Sequence, residues 1–321
     1  MKFQNNYSVQ RFSPPLIQFN GHLQTIIPGL FRRIKIKGLK RERWETPDGD
    51  FIDVDWLKKS VKRLVILCHG LEGDSRRPYI LGMLKTLAAK NFSTLSWNFR
   101  SCSGEINKLR KFYHSGATED LHFVVHQAIE RFKPKEIFII GFSLGGNLTL
   151  KYLGENRNLS PLIKKAVVIS VPIDLASSCR KMMNYENRLY EIRFLRSLKG
   201  KVILKEKLMP GSFDLKPLSS IQHLWDFDDI YTGPIHGFKN APDYYEKCSS
   251  INFLKKISIP TLIINAKNDP FLSEECYPDS QQISNPGITT IFTDKGGHCG
   301  FSTANGIYFS EFVTQEFLSK D

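Results

Sequence analysis

Residues 136–146, EIFIIGFSLGG, constrain the fold more than any other stretch. Ile137, Phe138, Ile139 and Ile140 form an unbroken apolar run of β-branched and aromatic residues, which reads as a strand buried on both faces. The run ends in Gly141-Phe142-Ser143-Leu144-Gly145, a G-x-S-x-G, and residues 146–153 read as a helix with Gly154 as its C-cap. A serine between a buried strand and a helix sits on a tight turn. Gly141 and Gly145 carry no Cβ, so neighbouring backbone can come close. Ser143 is then held above the sheet edge, with the positive end of the helix dipole aimed at it. That is how a weak hydroxyl nucleophile is presented. A glycine-rich strand-to-helix turn can also be plain structure. The functional reading therefore needs an acid and a histidine, later in the chain and in that order.

The rest of the chain supplies a matching frame. Residues 41–46 and 51–57 are strand-like runs around Pro47-Asp48-Gly49-Asp50, a hairpin signal. Further buried strands are expected at 63–68, 93–97, 165–171, 261–266 and 288–293. Between them lie amphipathic stretches, such as 118–132 with Leu121, Val124, Val125, Ala128 and Ile129 on one face and Thr118 as its expected cap. Strands alternating with helices predict a mostly parallel sheet with helices on both faces. Ligands of such sheets sit beyond the carboxyl ends of the strands. His69, Arg100, Ser143, Asp174 and Asp269 all fall there.

Asp269, in Asn268-Asp269-Pro270, follows its strand directly, and His298 lies in the glycine loop Gly296-Gly297-His298-Cys299-Gly300. Alone, an Asp-Pro is most often a turn and a loop histidine most often structural. The order Ser143, Asp269, His298 is that of the α/β-hydrolase triad. Asp174 is the alternative acid; Asp228 and Asp229 read as structural. The backbone N–H groups of Leu144 and of Leu71, in His69-Gly70-Leu71-Glu72-Gly73, are the expected oxyanion donors. No cofactor is needed, and no metal-ligand cluster stands out.

The chain resembles the YheT-like group of α/β-hydrolases. The resemblance rests on Asn20-Gly21-His22-Leu23-Gln24-Thr25-Ile26, the loop at 69–73, Arg100-Ser101-Cys102-Ser103-Gly104, the serine turn, Phe227-Asp228-Asp229 with Asp243-Tyr244-Tyr245, Asp269-Pro270 and Gly297-His298-Cys299-Gly300-Phe301. It implies an α/β-hydrolase fold with an inserted cap, and a carboxylic-ester hydrolase using Ser143, Asp269 and His298 on short- to medium-chain acyl esters or lipids. An acyltransferase is the alternative chemistry, and an inactive binding module is the alternative class. Eukaryotic relatives in this group carry an N-terminal membrane anchor. This chain begins close to the segment they share, so membrane residence is not expected to carry over.

The 321 residues, 41% of them hydrophobic, are expected to form an arm at 1–40 and one hydrolase domain at 41–321 with a cap at about 175–250. No apolar stretch reaches the ~18–20 residues of a membrane span, and no export signal is legible, so the expected place is the cytoplasm. The six cysteines are scattered and read as reduced thiols. The net charge is +13, yet no nucleic-acid-binding motif accompanies it. Residues 180–207 hold nine basic and three acidic residues. Within them Tyr185, Leu189, Ile192, Leu195 and Leu198 are spaced as one apolar stripe, flanked by Arg188, Arg193, Arg196 and Lys199. That stripe is expected either to pack on the main domain or to dock the cap on an anionic membrane surface.

Overall fold

The computed structural model describes residues 12–60, 62–155, 157–304, 306 and 308–320. Eight strands form one sheet: β1 (Lys40–Glu45), β2 (Phe51–Leu57), β3 (Arg63–Cys68), β4 (Ser93–Trp97), β5 (Glu136–Phe142), β6 (Ile163–Ile169), β7 (Thr261–Ala266) and β8 (Ile288–Thr293). Their order is β1-β2-β4-β3-β5-β6-β7-β8. The pairs β1–β2 and β2–β4 are antiparallel and the remaining pairs are parallel. β3 and β5 lie side by side with Cys68 opposite Gly141, so the loops carrying Leu71 and Ser143 leave the sheet together.

The side-chain alternation of the strands builds two cores. Leu64, Ile66, Ile137 and Ile139 face one side, where α3 (Thr118–Phe132) and α4 (Leu144–Gly154) cover them. Val65, Leu67, Phe138 and Ile140 face the other, under α2 (Pro78–Ala89) and the C-terminal helix Phe309–Ser319. Burying each such side chain contributes about 1.5–3 kcal/mol. Two helix ends differ from expectation. Gly154 is the last residue of α4 rather than its cap, and it must be glycine because a Cβ there would stand 2.3 Å from the Phe253 carbonyl oxygen. Thr118 begins α3 rather than capping it, and its hydroxyl accepts a hydrogen bond from Arg157.

After β6 the chain leaves the sheet and builds a cap from α5 (Leu175–Met182), α6 (Arg188–Leu208), a series of short turns and α7 (Ala241–Cys248). The cap has its own core, which includes Leu195, Val202, Phe213, Tyr231 and Tyr245. The expected stripe on α6 does not pack as one face. Leu195 is buried, but Tyr185, Leu189 and Ile192 are exposed. Glu191, Val202 and Lys205 turn inward instead. Glu191 accepts from the Leu224 N–H at 2.9 Å and pairs with Arg188. Lys205 donates to Asn107 O and Oδ1 at 2.8 Å, and burial lowers its pKa to about 8. Hydrogen-bond donors to Glu191 and acceptors for Lys205, not apolar spacing, set the rotation of the helix.

Residues 1–11 of the expected arm lie outside the described residues. Within the rest is α1 (Gly21–Phe31), capped by the Asn20 side chain on the Leu23 N–H. It packs on the main domain beside the His298 loop. Among the described residues no helix is long and apolar enough to cross a membrane.

Candidate active site

Ser143 sits on the turn between β5 and α4 with φ 52° and ψ −121°, a conformation that side-chain-bearing residues rarely adopt. The surroundings enforce it. The Ser143 N–H donates to Ile169 O at 2.9 Å, and its own carbonyl accepts from the N–H groups of Gly146 and Asn147. A Cβ on Gly141 would lie 2.3 Å from Gly145 O, and one on Gly145 would lie 2.5 Å from His69 O. The turn therefore requires glycine at both positions. Ser143 keeps partial exposure, and its hydroxyl donates to no protein acceptor among the described residues.

Asp269 follows β7 and is 3% exposed. Its carboxylate meets His298 Nδ1 at 2.9 Å and 3.1 Å, and it also accepts the Phe271 N–H. Burial alone would lower the His298 pKa. The Asp269 carboxylate, together with the neighbouring Cys299, outweighs burial and raises it to about 10. The Phe271 ring packs 4.2 Å from the imidazole, centroid to centroid. Ser143 and His298 line the same two cavities.

Three residues whose part the sequence did not reveal hold the acid and histidine loops. Gln24 Oε1, on α1, accepts from the Gly296 N–H at 2.7 Å and from Asn268 Nδ2 at 2.9 Å. Thr25 Oγ1 accepts the His298 N–H at 2.8 Å, and Asn268 Oδ1 accepts the Gly297 N–H. The run Asn20-Gly21-His22-Leu23-Gln24-Thr25 is thus a buttress. The signal was present as a motif, but nothing local pointed to its partner some 270 residues away.

In the loop after β3 the N–H groups on either side of Leu71 are engaged. Those of Gly70, Glu72 and Gly73 donate to Tyr79 Oη, Tyr113 Oη and Gly70 O. The Leu71 N–H has no acceptor among the described residues, and neither has that of Leu144 at the start of α4. His69 shapes this loop. Burial holds its pKa down at about 3, so the ring is neutral. Its Nδ1 donates to Gly70 O at 2.7 Å, and Nε2 accepts the Phe99 N–H at 3.1 Å.

The other candidates have structural partners. Asp174 N-caps α5 through the Ser177 N–H. Arg100 is buried between Asp120, Asp50 and Asp48. Asp229 accepts the Ala241 N–H. Among the described residues no group of His, Cys, Asp and Glu has a metal site's arrangement.

Residues 63–304 match the model of the alpha/beta hydrolase fold. The chain is 36% identical over 289 residues to the putative esterase YheT of Escherichia coli, spanning 88% of this chain and 84% of that one. It belongs to the α/β-hydrolase family, in its YheT-like group. A monoacylglycerol lipase of Saccharomyces cerevisiae is 29% identical over 271 residues, 82% of this chain and 59% of that longer one. An esterase from Pyrococcus furiosus shares the fold with a TM-score of 0.59, at 20% identity, over 87% of this hydrolase and 91% of its own chain. The YheT-like hydrolase keeps the sheet of its family and places its cap over the carboxyl ends of the strands.

Proposed function

We propose that the protein hydrolyses carboxylic esters through an acyl-enzyme on Ser143. The observation that carries this reading is the Asp269–His298 pair beside a strained serine on the turn between β5 and α4, with Ser143 and His298 both lining a cavity that opens to the surface. In this reading His298 takes the hydroxyl proton as Ser143 attacks the carbonyl, then passes it to the leaving alcohol. Asp269 fixes the tautomer, leaving Nε2 as the base, and stabilises the imidazolium. The unspent N–H groups of Leu71 and Leu144 are the donors for the tetrahedral oxyanion. Water then enters and the same steps release the acid. No hydrogen bond joins Ser143 Oγ to His298 in the free protein, and contacts of this kind tighten when substrate binds.

Two cavities meet at Ser143 and His298, one of about 250 Å³ and one of about 130 Å³. The larger is lined by exposed residues of α1 and α6, among them Ile26, Leu30 and Arg193, and opens to the surface. The smaller has no exposed residue in its wall. The leaving alcohol must depart while the acyl group is still on Ser143. The cavity bordered by exposed residues suits the alcohol, and the one walled by buried and half-buried residues suits the acyl chain. A cavity of about 150 Å³ accepts benzene, so the smaller one holds about six heavy atoms.

The mouth of the larger cavity supports peripheral docking on an anionic lipid surface. Ile26, Leu30 and Phe31 of α1 are exposed, as are Leu189 and Ile192 of α6. The two helices adjoin through His22 and Tyr190. Arg193 and Arg196 are exposed beside them with no partner among the described residues. The set of charges differs from the sequence expectation: Arg188 is held by Glu191 and Gln222 O, and Lys199 by Leu218 O and Ile221 O. The reading is tested with a fluorophosphonate probe and esters of graded acyl length. Labelling at Ser143 with hydrolysis supports it; an unlabelled Ser143 in active protein overturns it.

A further inference from the structure

An acyl cavity needs only apolar walls, and most of the smaller cavity has them: Leu144, Leu175, Met182, Leu224 and Leu272. One part of the cap's wall departs from this. Asp228 and Thr232 both line it, at the two ends of a single π-helical turn, Asp228–Thr232. Such turns re-aim side chains and occur often at functional sites. Here the wider turn sets two polar side chains, four residues apart, on the same cavity.

Asp228 is enclosed by protein but keeps accessible surface, and it lines this cavity. Tyr245 Oη donates to its Oδ2 at 2.7 Å. Among the described residues no Lys, Arg or His pairs with it. The Thr232 hydroxyl also hydrogen-bonds to it, and a carboxylate offers about four acceptor positions, so two donors leave about half of them unused. An enclosed carboxylate without a cation is costly, and buried charges are ordinarily paired. Burial accordingly raises the Asp228 pKa to about 6, near the edge of protonation. A plain alkyl chain pressed against this wall would leave its acceptors unmet. A chain ending in a hydrogen-bond donor would meet them.

We propose that Asp228 and Thr232 form a polar subsite that selects acyl chains bearing a hydrogen-bond donor, hydroxyl or protonated amine, about six heavy atoms beyond the carbonyl carbon. The inference rests on the ester-hydrolase reading and on the acyl chain occupying the smaller cavity. Hydrogen bonds to a charged acceptor in an enclosed site separate a substrate from its methyl-ended analogue strongly.

The test compares the 4-nitrophenyl esters of heptanoate, 6-hydroxyhexanoate and 6-aminohexanoate, which match in length. The wild-type enzyme is expected to favour one donor-ended ester over heptanoate by ~10- to 100-fold in kcat/KM. The arm that is favoured identifies the donor. In Asp228→Asn a preference for the amine should collapse, since the charge is gone. In Asp228→Leu with Thr232→Val, heptanoate should become the better substrate. Heptanoate hydrolysed as well as or better than both others by wild type overturns the subsite while ester hydrolysis stands. A wild-type preference that survives unchanged in Asp228→Leu/Thr232→Val overturns the assignment to these residues. Hydrolysis of none of the three overturns the ester-hydrolase reading with it.

Discussion

The serine turn and the cap helix α6 both border the larger cavity, yet they are held by different means. The turn is held by backbone. Its hydrogen bonds run from Ser143 N–H to Ile169 O and from Gly146 N–H to Ser143 O, and its glycines permit approaches that no Cβ would allow. Helix α6 is held by side chains. Lys201 and Ser197 reach the Glu72 carboxylate in the loop after β3, Lys205 reaches Asn107 and Leu109, and Glu191 reaches Leu224. A turn held by backbone keeps its shape when its side chain is changed. A helix whose side chains make its contacts, polar ones included, is weakened when one of them is removed.

The largest effect is expected on the turn. Ser143→Ala should lower kcat by ~10⁴–10⁶-fold while thermal unfolding is unchanged, because none of the hydrogen bonds that hold the turn uses the hydroxyl. Steady-state kinetics beside calorimetry check this. A Tm lowered by many degrees would show that the hydroxyl is structural.

Next comes the acid. Asp269→Asn should cost up to ~10⁴-fold in kcat with little change in KM. It also carries a signature in pH. His298 must be neutral to act as a base, and the Asp269 carboxylate raises its pKa. Wild-type kcat/KM should therefore climb with pH on the alkaline side of the usual histidine range. Removing the carboxylate leaves burial, which lowers the pKa, opposed only by Cys299, so the limb should move to lower pH in the variant. A pH-rate profile that stays in place would separate Asp269 from His298.

On the cap side, Lys201→Met should act through position. The Lys201–Glu72 pair is largely buried, at 15% and 6% exposure, and removing one partner of such a pair costs about 3 kcal/mol. Glu72 adjoins Leu71, so kcat should fall by ~10-fold or more, with less change in KM, if the Leu71 N–H stabilises an oxyanion. Lys201→Arg should restore part of it. Urea denaturation with steady-state kinetics reads both. Lost stability with full activity would mean that α6 does not position the loop.

The smallest effect on chemistry is expected from Arg193→Gln with Arg196→Gln. Soluble esters should keep their kcat, with any change confined to KM, because Arg193 borders the larger cavity. Co-sedimentation with anionic vesicles at low salt should weaken by ~10- to 30-fold, at about 1 kcal/mol for each charge. A wild-type protein that ignores such vesicles would leave the exposed face of α6 merely solvated.

What could be read from the sequence alone was local. The run 137–140 had to be a buried strand, because an unbroken β-branched and aromatic stretch satisfies a parallel sheet's two faces. The glycines around Ser143 had to mark a tight turn, because only residues without Cβ tolerate such close backbone. The order Ser143, Asp269, His298 was legible because each follows its own strand and all strand ends meet at one edge. The tertiary structure alone decided whatever depends on distant partners. Gln24 and Thr25 hold loops about 270 residues away. Asp174 became a helix cap, and Asp228 met a cavity rather than solvent. Spacing suggested one apolar stripe on α6, either packed on the main domain or docked on an anionic surface. Glu191 and Lys205 took buried places there because acceptors and donors from other segments awaited them, and a satisfied polar group can displace an apolar one from a half-buried face.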